Sequence, residues 1–513
     1  MVEAELRLAD LLAALSLSTD LAMGQAPEKA IRACVVATET ARAMNLSEPE
    51  VSIVYYATLL KHLGCTAGSH EEVVVFGPDD LMLNAVAERT DVARAREMVA
   101  LMRLTGRGAG LRRPAHLVRA LAASKEAEAS LMRATCEVAA LMAERLGLGE
   151  DVRRAVHENL ERWDGRGEPQ KLRGDDIAVA ARIAEPATQA VIFHRLGGVG
   201  ALTEMIDRRA GGWFDPAVAE VVRRAAPTIL DRLEEDDPWA AVLAAEPEPV
   251  RLVPAARLDG VAEAFADMVD LKSTFTLGHS SGVAELATAA AGRLGMADPV
   301  GLRRAALLHD LGRTAVATGV WERAGGLSTS QWEEVRLHPY QTERILARSS
   351  ALEPLARIAG MHHERQDGSG YHHGASASGV PAEARLLAAA DVYQALTQDR
   401  PHRPARSPEE AAQVLTSEAT AGRLDPECVR AVVEAAGQRV PGARTSWPAG
   451  LSDREVDVIR LVARGLTNRG IAERLVISSR TAEHHVQHIY AKIGASTRAA
   501  AAMFAMEHGL LAE

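Results

Sequence analysis

The chain is poor in cysteine: four in 513 residues, Cys34, Cys65, Cys136 and Cys428, scattered and without a CxxC pair. That excludes a disulfide-stapled fold and a cysteine-based metal knuckle, and fits buried thiols in a reducing compartment. Aromatic residues make up only 4%, and valine and isoleucine never form the short alternating runs of a sheet. Abundant Ala, Leu, Glu and Arg favour helix instead, so the expected class is all-α. No apolar run is long enough to span a bilayer. The segment Met1 to Gly24 mixes Glu3, Glu5, Arg7 and Asp10 into an amphipathic pattern unlike a signal peptide. No membrane partner and a cytoplasmic location are therefore expected. Positive charge is short as well. A net charge of −11 excludes a chain that coats nucleic acid and confines DNA binding to a local surface.

The length suggests about three domains. Two stretches have the composition of linkers. Residues 231–259 contain the acidic run Glu234-Glu235-Asp236-Asp237, then Pro238, Pro247, Pro249 and Pro254. Residues 441–450 contain Pro441-Gly442 and Trp447-Pro448. Domains are thus expected over 1–230, 260–440 and 451–513. The first two look like repeats. Ala57-Thr58-Leu59-Leu60-Lys61-His62-Leu63-Gly64 matches Ala305-Ala306-Leu307-Leu308-His309-Asp310-Leu311-Gly312. The segment Glu161 to Gly167 matches Glu364 to Gly370, Arg182 matches Arg385, and Asp215-Pro216 matches Asp425-Pro426.

Seven metal-ligand residues run in order through the second repeat: His279, His309-Asp310, His338, His362-His363 and Asp391. Imidazoles and carboxylates spaced about one per helix and turn are what a multinuclear metal site looks like when read linearly. Any one of them alone is better explained as a surface histidine or a capping aspartate; the ordered set is not. His309 and Asp310 point about 100° apart on a helix, so two metals side by side could use both, with the carboxylate bridging. Asp391 follows the apolar run Leu386 to Ala390 and needs a metal or cationic partner there. His338, before Pro339, is expected to end an extended step and begin a helix. In the first repeat Lys61-His62, Asn159-Leu160 and Thr188 stand at the places of His309-Asp310, His362-His363 and Asp391, and no histidine precedes His62. A protonated lysine cannot ligate. No such cluster is expected there, which leaves a scaffolding, dimerising or sensing role.

Residues 275–440 resemble the HD-GYP branch of the HD phosphohydrolase superfamily. The resemblance rests on His309-Asp310-Leu311-Gly312-Arg313, His338-Pro339, the run from His362 to Tyr371, and Ala390-Asp391-Val392-Tyr393-Gln394-Ala395-Leu396-Thr397 with Asp399-Arg400-Pro401. It implies an all-helical fold that holds iron or manganese and hydrolyses cyclic di-GMP, with the seven residues as ligands. Two divalent transition metals are expected, because Phe275 stands where some members place a further glutamate. Asp310 and Arg313, the latter in place of the usual lysine, are the catalytic candidates. Gly368 and Gly370 would turn the chain so that Tyr371 stacks on a guanine. Arg400 and Arg403 are candidate phosphate or base contacts. His372 replaces the proline of the Gly-Tyr-Pro signature. Residues 1–230 read as a degenerate copy of the same domain.

In the last segment Ser452 and Glu455 form a capping box, Gly465 ends a first helix, and helices around Ile471–Leu475 and Arg480–Ile493 follow. That is a helix-turn-helix pattern. Leu451 to Leu511 resembles the LuxR-type DNA-binding domain through Leu451-Ser452-Asp453-Arg454-Glu455, Leu466-Thr467-Asn468-Arg469-Gly470-Ile471-Ala472, the run Ser478 to Val486, and Lys492-Ile493-Gly494-Ala495. Arg480, Glu483, His484 and Gln487 are expected to face the major groove, with Thr481 and Lys492 near phosphates. Eight Lys or Arg against seven Asp or Glu predict weak monomer binding, rescued by homodimerisation through the last helix. The whole chain reads as a metal-dependent phosphohydrolase, of cyclic di-GMP phosphodiesterase type, coupled to a transcriptional regulator of double-stranded DNA. The alternative is a catalytically weak transcription factor that senses a nucleotide.

Overall fold

The structure, a computed structural model, describes residues 5–92, 94–122, 125–437 and 447–511. It is built of helices, as expected, apart from one two-stranded antiparallel ribbon that pairs Glu5–Arg7 with Leu252–Pro254. Two compact units divide at Gly260. None of the described helices is long and apolar enough to cross a membrane.

In the first unit the helix Leu8–Ala22 is buried along almost its whole length. The amphipathic pattern expected at the N-terminus ends with Asp10; from Leu11 to Thr19 the helix carries only apolar residues and small hydroxyls and lies in the core, and Asp20 is buried with it. Residues 231–259, expected as a linker, are folded instead. They hold the end of the helix Pro216–Glu235, the helix Pro238–Ala245 and the second ribbon strand. Asp237 caps that second helix through the Trp239 N–H, and Pro238 takes its first turn, so the acidic and proline-rich composition is that of a helix start. Tyr55 donates from its hydroxyl to the Val242 carbonyl (3.0 Å), and Tyr56 donates to Glu246 (2.6 Å), fixing the segment onto the core.

The second unit repeats the plan. Its helices include His279–Leu294, Pro299–Leu308, His338–Leu346, Glu353–Gly360, Ala382–Leu396 and Pro426–Gly437. Equivalent contacts recur in both units. Arg182 meets Asp215 at 2.9 Å, and Arg385 meets Asp425 at 2.8 Å. Gly167 and Gly370 each sit where a Cβ would lie within 2.6 Å of preceding backbone, so only glycine closes either turn. Residues 441–446, part of the expected second linker, lie outside the described residues. Beyond them Asp453–Ala463, Asn468–Leu475, Ser479–Ile493 and Arg498–Glu507 form the expected helix-turn-helix with a fourth helix.

Candidate metal centre

Helix ends deliver most of the ligand side chains. His279 opens its helix after Gly278, which holds φ 69°. His309 follows Leu308 at the close of Pro299–Leu308, and His362 follows Glu353–Gly360 by two residues. His338 opens His338–Leu346, but the preceding Leu337 is helical (φ −85°, ψ −10°). The expected extended step before Pro339 is thus absent, because the helix Thr329–Arg336 runs almost straight into the next one. Asp391 lies inside Ala382–Leu396. Two further contacts hold the frame. A Cβ on Gly312 would lie 1.9 Å from the His338 carbonyl oxygen, so glycine permits the close approach. Thr342 then accepts from the Gly312 N–H and donates to the His309 carbonyl, both at 2.9 Å.

All seven residues converge. Asp310 lies at the centre: Oδ1 faces His338 Nε2 (3.3 Å) and His362 Nε2 (3.7 Å). Its Oδ2 faces His309 Nε2 (3.4 Å) and His279 Nε2 (3.8 Å). Asp391 Oδ1 stands 3.1 Å from His279 Nε2, and its Oδ2 stands 3.8 Å from His363 Nδ1. Two triads of donor atoms result, His279–His309–Asp391 and His338–His362–His363, with the Asp310 carboxylate between them.

The tautomers follow from the surroundings. His309, His338 and His362 each place Nδ1 2.6 Å from the carbonyl three residues back, of Ala306, Val335 and Ala359. A carbonyl can only accept, so each Nδ1 carries a proton, and the tautomer that can ligate a metal turns its Nε2 lone pair inward. His338 Nε2 and His362 Nε2 are then two lone pairs 3.2 Å apart, both buried. His309 Nε2 is buried and makes no hydrogen bond. Such an arrangement is repulsive without a cation between the nitrogens, and the donor set suits an imidazole- and carboxylate-loving transition metal. Burial lowers His279, His362 and His363, the last to about 3, so these rings stay neutral and able to ligate. Burial alone would raise Asp310 and Asp391. For Asp310 the neighbouring Arg313 guanidinium works against that burial, and both carboxyls lie well below the usual carboxylate range.

Around this core the expected residues divide. Arg313 donates to Asp310 Oδ2 at 2.8 Å and lies over the Trp321 ring, 4.1 Å from its centroid. The Tyr371 ring sits 4.9 Å from that of His363 and tilts 38° to it, beyond the Gly368 turn, where φ is 76°. Arg400 turns inward and donates to the Phe275 carbonyl (2.8 Å), with Nη2 3.4 Å from His279 Nδ1. Burial, with Arg313 nearby, lowers its guanidinium to about 10. Arg403 does not fit the expected role. It donates to the carbonyls of Ala395 (2.6 Å) and Leu396 (3.1 Å), satisfying the end of Ala382–Leu396. Sequence reasoning missed Gln398, whose Oε1 lies 3.0 Å from His279 Nδ1 and replaces the backbone carbonyl used by the other rings. It also missed Arg336, over the Tyr371 ring at 5.6 Å. The nearness of Gln398 to the Asp399-Arg400-Pro401 motif was the one available signal.

The first repeat carries lysines at the equivalent places. Asp20 accepts from the Ala30 N–H at 3.1 Å just as Asp270 accepts from that of Ser280 at 2.9 Å, so Lys29 stands at the position of His279. Lys29 Nζ meets Glu88 at 2.8 Å, His62 Nε2 lies 2.8 Å from the same carboxylate, and Lys61 Nζ meets Glu185 at 2.8 Å. All five are nearly or fully buried. Burial and Lys29 hold His62 down to about 3, and Glu88 stays ionised because Lys29 and His62 outweigh its burial. Side-chain ammonium groups supply the positive charge in this repeat.

In the last domain Arg480, Thr481, Glu483, His484 and Gln487 all lie exposed on Ser479–Ile493, and His488, exposed beside His484, extends that face. Lys492 departs from the expectation: Nζ bonds Glu455 Oε2 (2.7 Å) and the Gly450 carbonyl (3.0 Å), which turns it toward the domain's own first helix.

The chain belongs to the HD-domain family, which it matches over residues 110–218 and again over 263–428, and residues 449–505 match the luxR family of bacterial regulatory proteins. It is a metal-dependent phosphohydrolase joined to a LuxR-type DNA-binding domain. Among its relatives, the 3'3'-cGAMP-specific phosphodiesterase 3 of Vibrio cholerae is 31% identical over 434 residues, covering 83% of this chain and 94% of that protein. A cyclic di-GMP phosphodiesterase of Pseudomonas aeruginosa is 34% identical over 194 residues, 36% of this chain and 46% of its own length. A crystal structure of a cyclic GMP-AMP specific phosphodiesterase from V. cholerae superposes with a TM-score of 0.60 at 28% identity, over 85% of this chain and 99% of the other.

Proposed function

We propose that the second repeat hydrolyses a 3'–5' phosphodiester of a cyclic purine dinucleotide of the cyclic di-GMP type, around two divalent transition metals, iron or manganese. The observation that carries this reading is the inward convergence of four imidazoles on the two oxygens of Asp310, with two opposed lone pairs 3.2 Å apart. His279, His309 and Asp391 would hold one ion and His338, His362 and His363 the other, with Asp310 shared. Bound there, the ions would supply positive charge to the phosphodiester oxygens and acidity to the attacking water. Arg313 holds the Asp310 carboxylate ionised and in place. Gln398 holds the His279 ring, and Arg400 donates in turn to the Gln398 oxygen. Tyr371, at the rim beside His363, offers its face to a purine. A pure sensor would not need a complete donor set, so the catalytically weak alternative is not favoured.

The relative matched along nearly its whole length is named for 3'3'-cGAMP, so both dinucleotides are informative substrates. Manganese- or iron-loaded protein is incubated with each, and the products are separated by chromatography. Linear dinucleotide or mononucleotide is expected from at least one; intact substrate in both reactions overturns the proposal. On the DNA side, Arg480, Glu483, His484 and Gln487 form the reading face, with dimerisation through Arg498–Glu507 in the cytoplasm. Gel shifts unchanged by Gln487→Ala and His484→Ala would sink that assignment.

A further inference from the structure

A second group of metal-type donors lies outside the Asp310 centre. Glu343 projects from His338–Leu346, five residues after the ligand His338, and His372 and His373 follow Tyr371 in the loop that the signature proline would otherwise occupy. Both imidazoles converge on one carboxylate oxygen: Glu343 Oε2 is 3.2 Å from His372 Nε2 and 2.8 Å from His373 Nε2. One ligand atom from each residue falls within a 4.8 Å group. We propose that Glu343, His372 and His373 form a separate binding site for a divalent cation of the zinc class.

The donor chemistry favours this over a simple hydrogen-bonded trio. A tetrahedral zinc with ligand distances of about 2.0–2.1 Å has donor–donor edges of roughly 3.3 Å; the 3.2 Å separation matches that edge, and the 2.8 Å one would open by about 0.5 Å on binding. Two imidazoles and one carboxylate are a zinc donor set with one position left for water. Solvent reaches the group, since the His373 side chain is 41% exposed and that of Glu343 27%. The partner nitrogen of His372, Nδ1, is buried without a hydrogen bond, and that ring packs edge-on to Tyr340 at 5.5 Å. The loop is preset as well. Glu364 accepts from the N–H groups of His373 (2.7 Å), Gly374 (3.2 Å) and Ala375 (2.8 Å), fixing the backbone under both rings. Since Tyr371 precedes His372 directly, a cation here ties the rim of the Asp310 centre to the helix that carries His338. Such a cation would restrain the Tyr371 loop, whatever substrate the centre takes.

The test uses the full chain, stripped with chelator, reloaded with Mn²⁺ and then titrated with Zn²⁺ or Co²⁺ at a concentration that leaves the manganese in place. Retained metal is measured after gel filtration for wild type, Glu343→Gln, His373→Ala and His372→Pro. Wild type should retain one more zinc per chain than each variant, with equal manganese. Cobalt should give the intense visible absorption of a tetrahedral site in wild type only. Zinc-dependent raising of the melting temperature should vanish in Glu343→Gln and His373→Ala, while their melting in chelator stays at the wild-type value. Equal zinc content in wild type and the exposed-site variant His373→Ala, or no zinc beyond the manganese sites, would overturn the proposal and leave a hydrogen-bonded triad.

Discussion

Gln398 does for His279 what backbone carbonyls do for His309, His338 and His362: it accepts a hydrogen bond from the Nδ1 N–H and leaves Nε2 turned toward Asp391 and Asp310. Such outer partners set both the tautomer and the orientation of a ligating ring. Gln398→Leu should therefore weaken metal binding by about 10–100-fold, with Gln398→Glu restoring most of it, as read by metal titration. In the first repeat the same logic runs through charge. Lys61 and Glu185 are 4% and 8% exposed, so Lys61→Met leaves a buried carboxylate without its partner. It should destabilise the chain by about 3–5 kcal/mol in denaturant unfolding, and Lys61→Met with Glu185→Met should recover most of the loss. The seven candidate ligands were legible in the sequence because most are histidines or an aspartate at helix ends, and Asp391 is a carboxylate in an apolar run, residue types that do little else when buried. Lys29, Gln398 and Glu343 were not, because their partners lie far away along the chain or on another helix. Arg403 and Lys492 misled for a related reason: an exposed-looking cation can be consumed by helix carbonyls or a local carboxylate.

Helix boundaries were read more closely than connections. The capping box at Ser452 and Glu455 and the glycine stop at Gly465 fall where expected, since capping is local chemistry. Residues 231–259 were misjudged because proline and acidic residues mark helix starts as well as linkers, and only burial against Tyr55 and Tyr56 decides between them. The Glu455 cap also makes a pH prediction. Burial would raise this carboxyl, but Lys492 and Ser452 outweigh it and hold it down to about 2, from an ordinary 4.5. The folded value is depressed, so the contribution is complete above about 4.5 and is lost as the pH falls toward 2. Glu455→Gln should lower the melting temperature of the DNA-binding domain at pH 7, by the equivalent of about 0.5–2 kcal/mol, and the gap to wild type should close at low pH. A gap that stays constant from pH 7 to pH 3 would remove the cap from the account.

At the scale of the whole molecule, one fold is used twice with opposite means of supplying positive charge. The first repeat uses the buried ammonium groups of Lys29 and Lys61, and the second presents inward lone pairs that call for metal. The duplication was visible in sequence, and the equivalent Arg182–Asp215 and Arg385–Asp425 pairs show how deep it runs. The DNA-binding domain adds a readout with little net charge of its own, so its binding should be weak and only shallowly dependent on salt. The most direct test of the central claim is metal content per chain together with dinucleotide hydrolysis, in wild type, Asp310→Ala and Lys61→Met. About two metals and turnover are expected in wild type, loss of metal and turnover in Asp310→Ala, and unchanged metal content per folded chain in Lys61→Met. Full metal content in Asp310→Ala, or metal lost on changing Lys61, would contradict that claim.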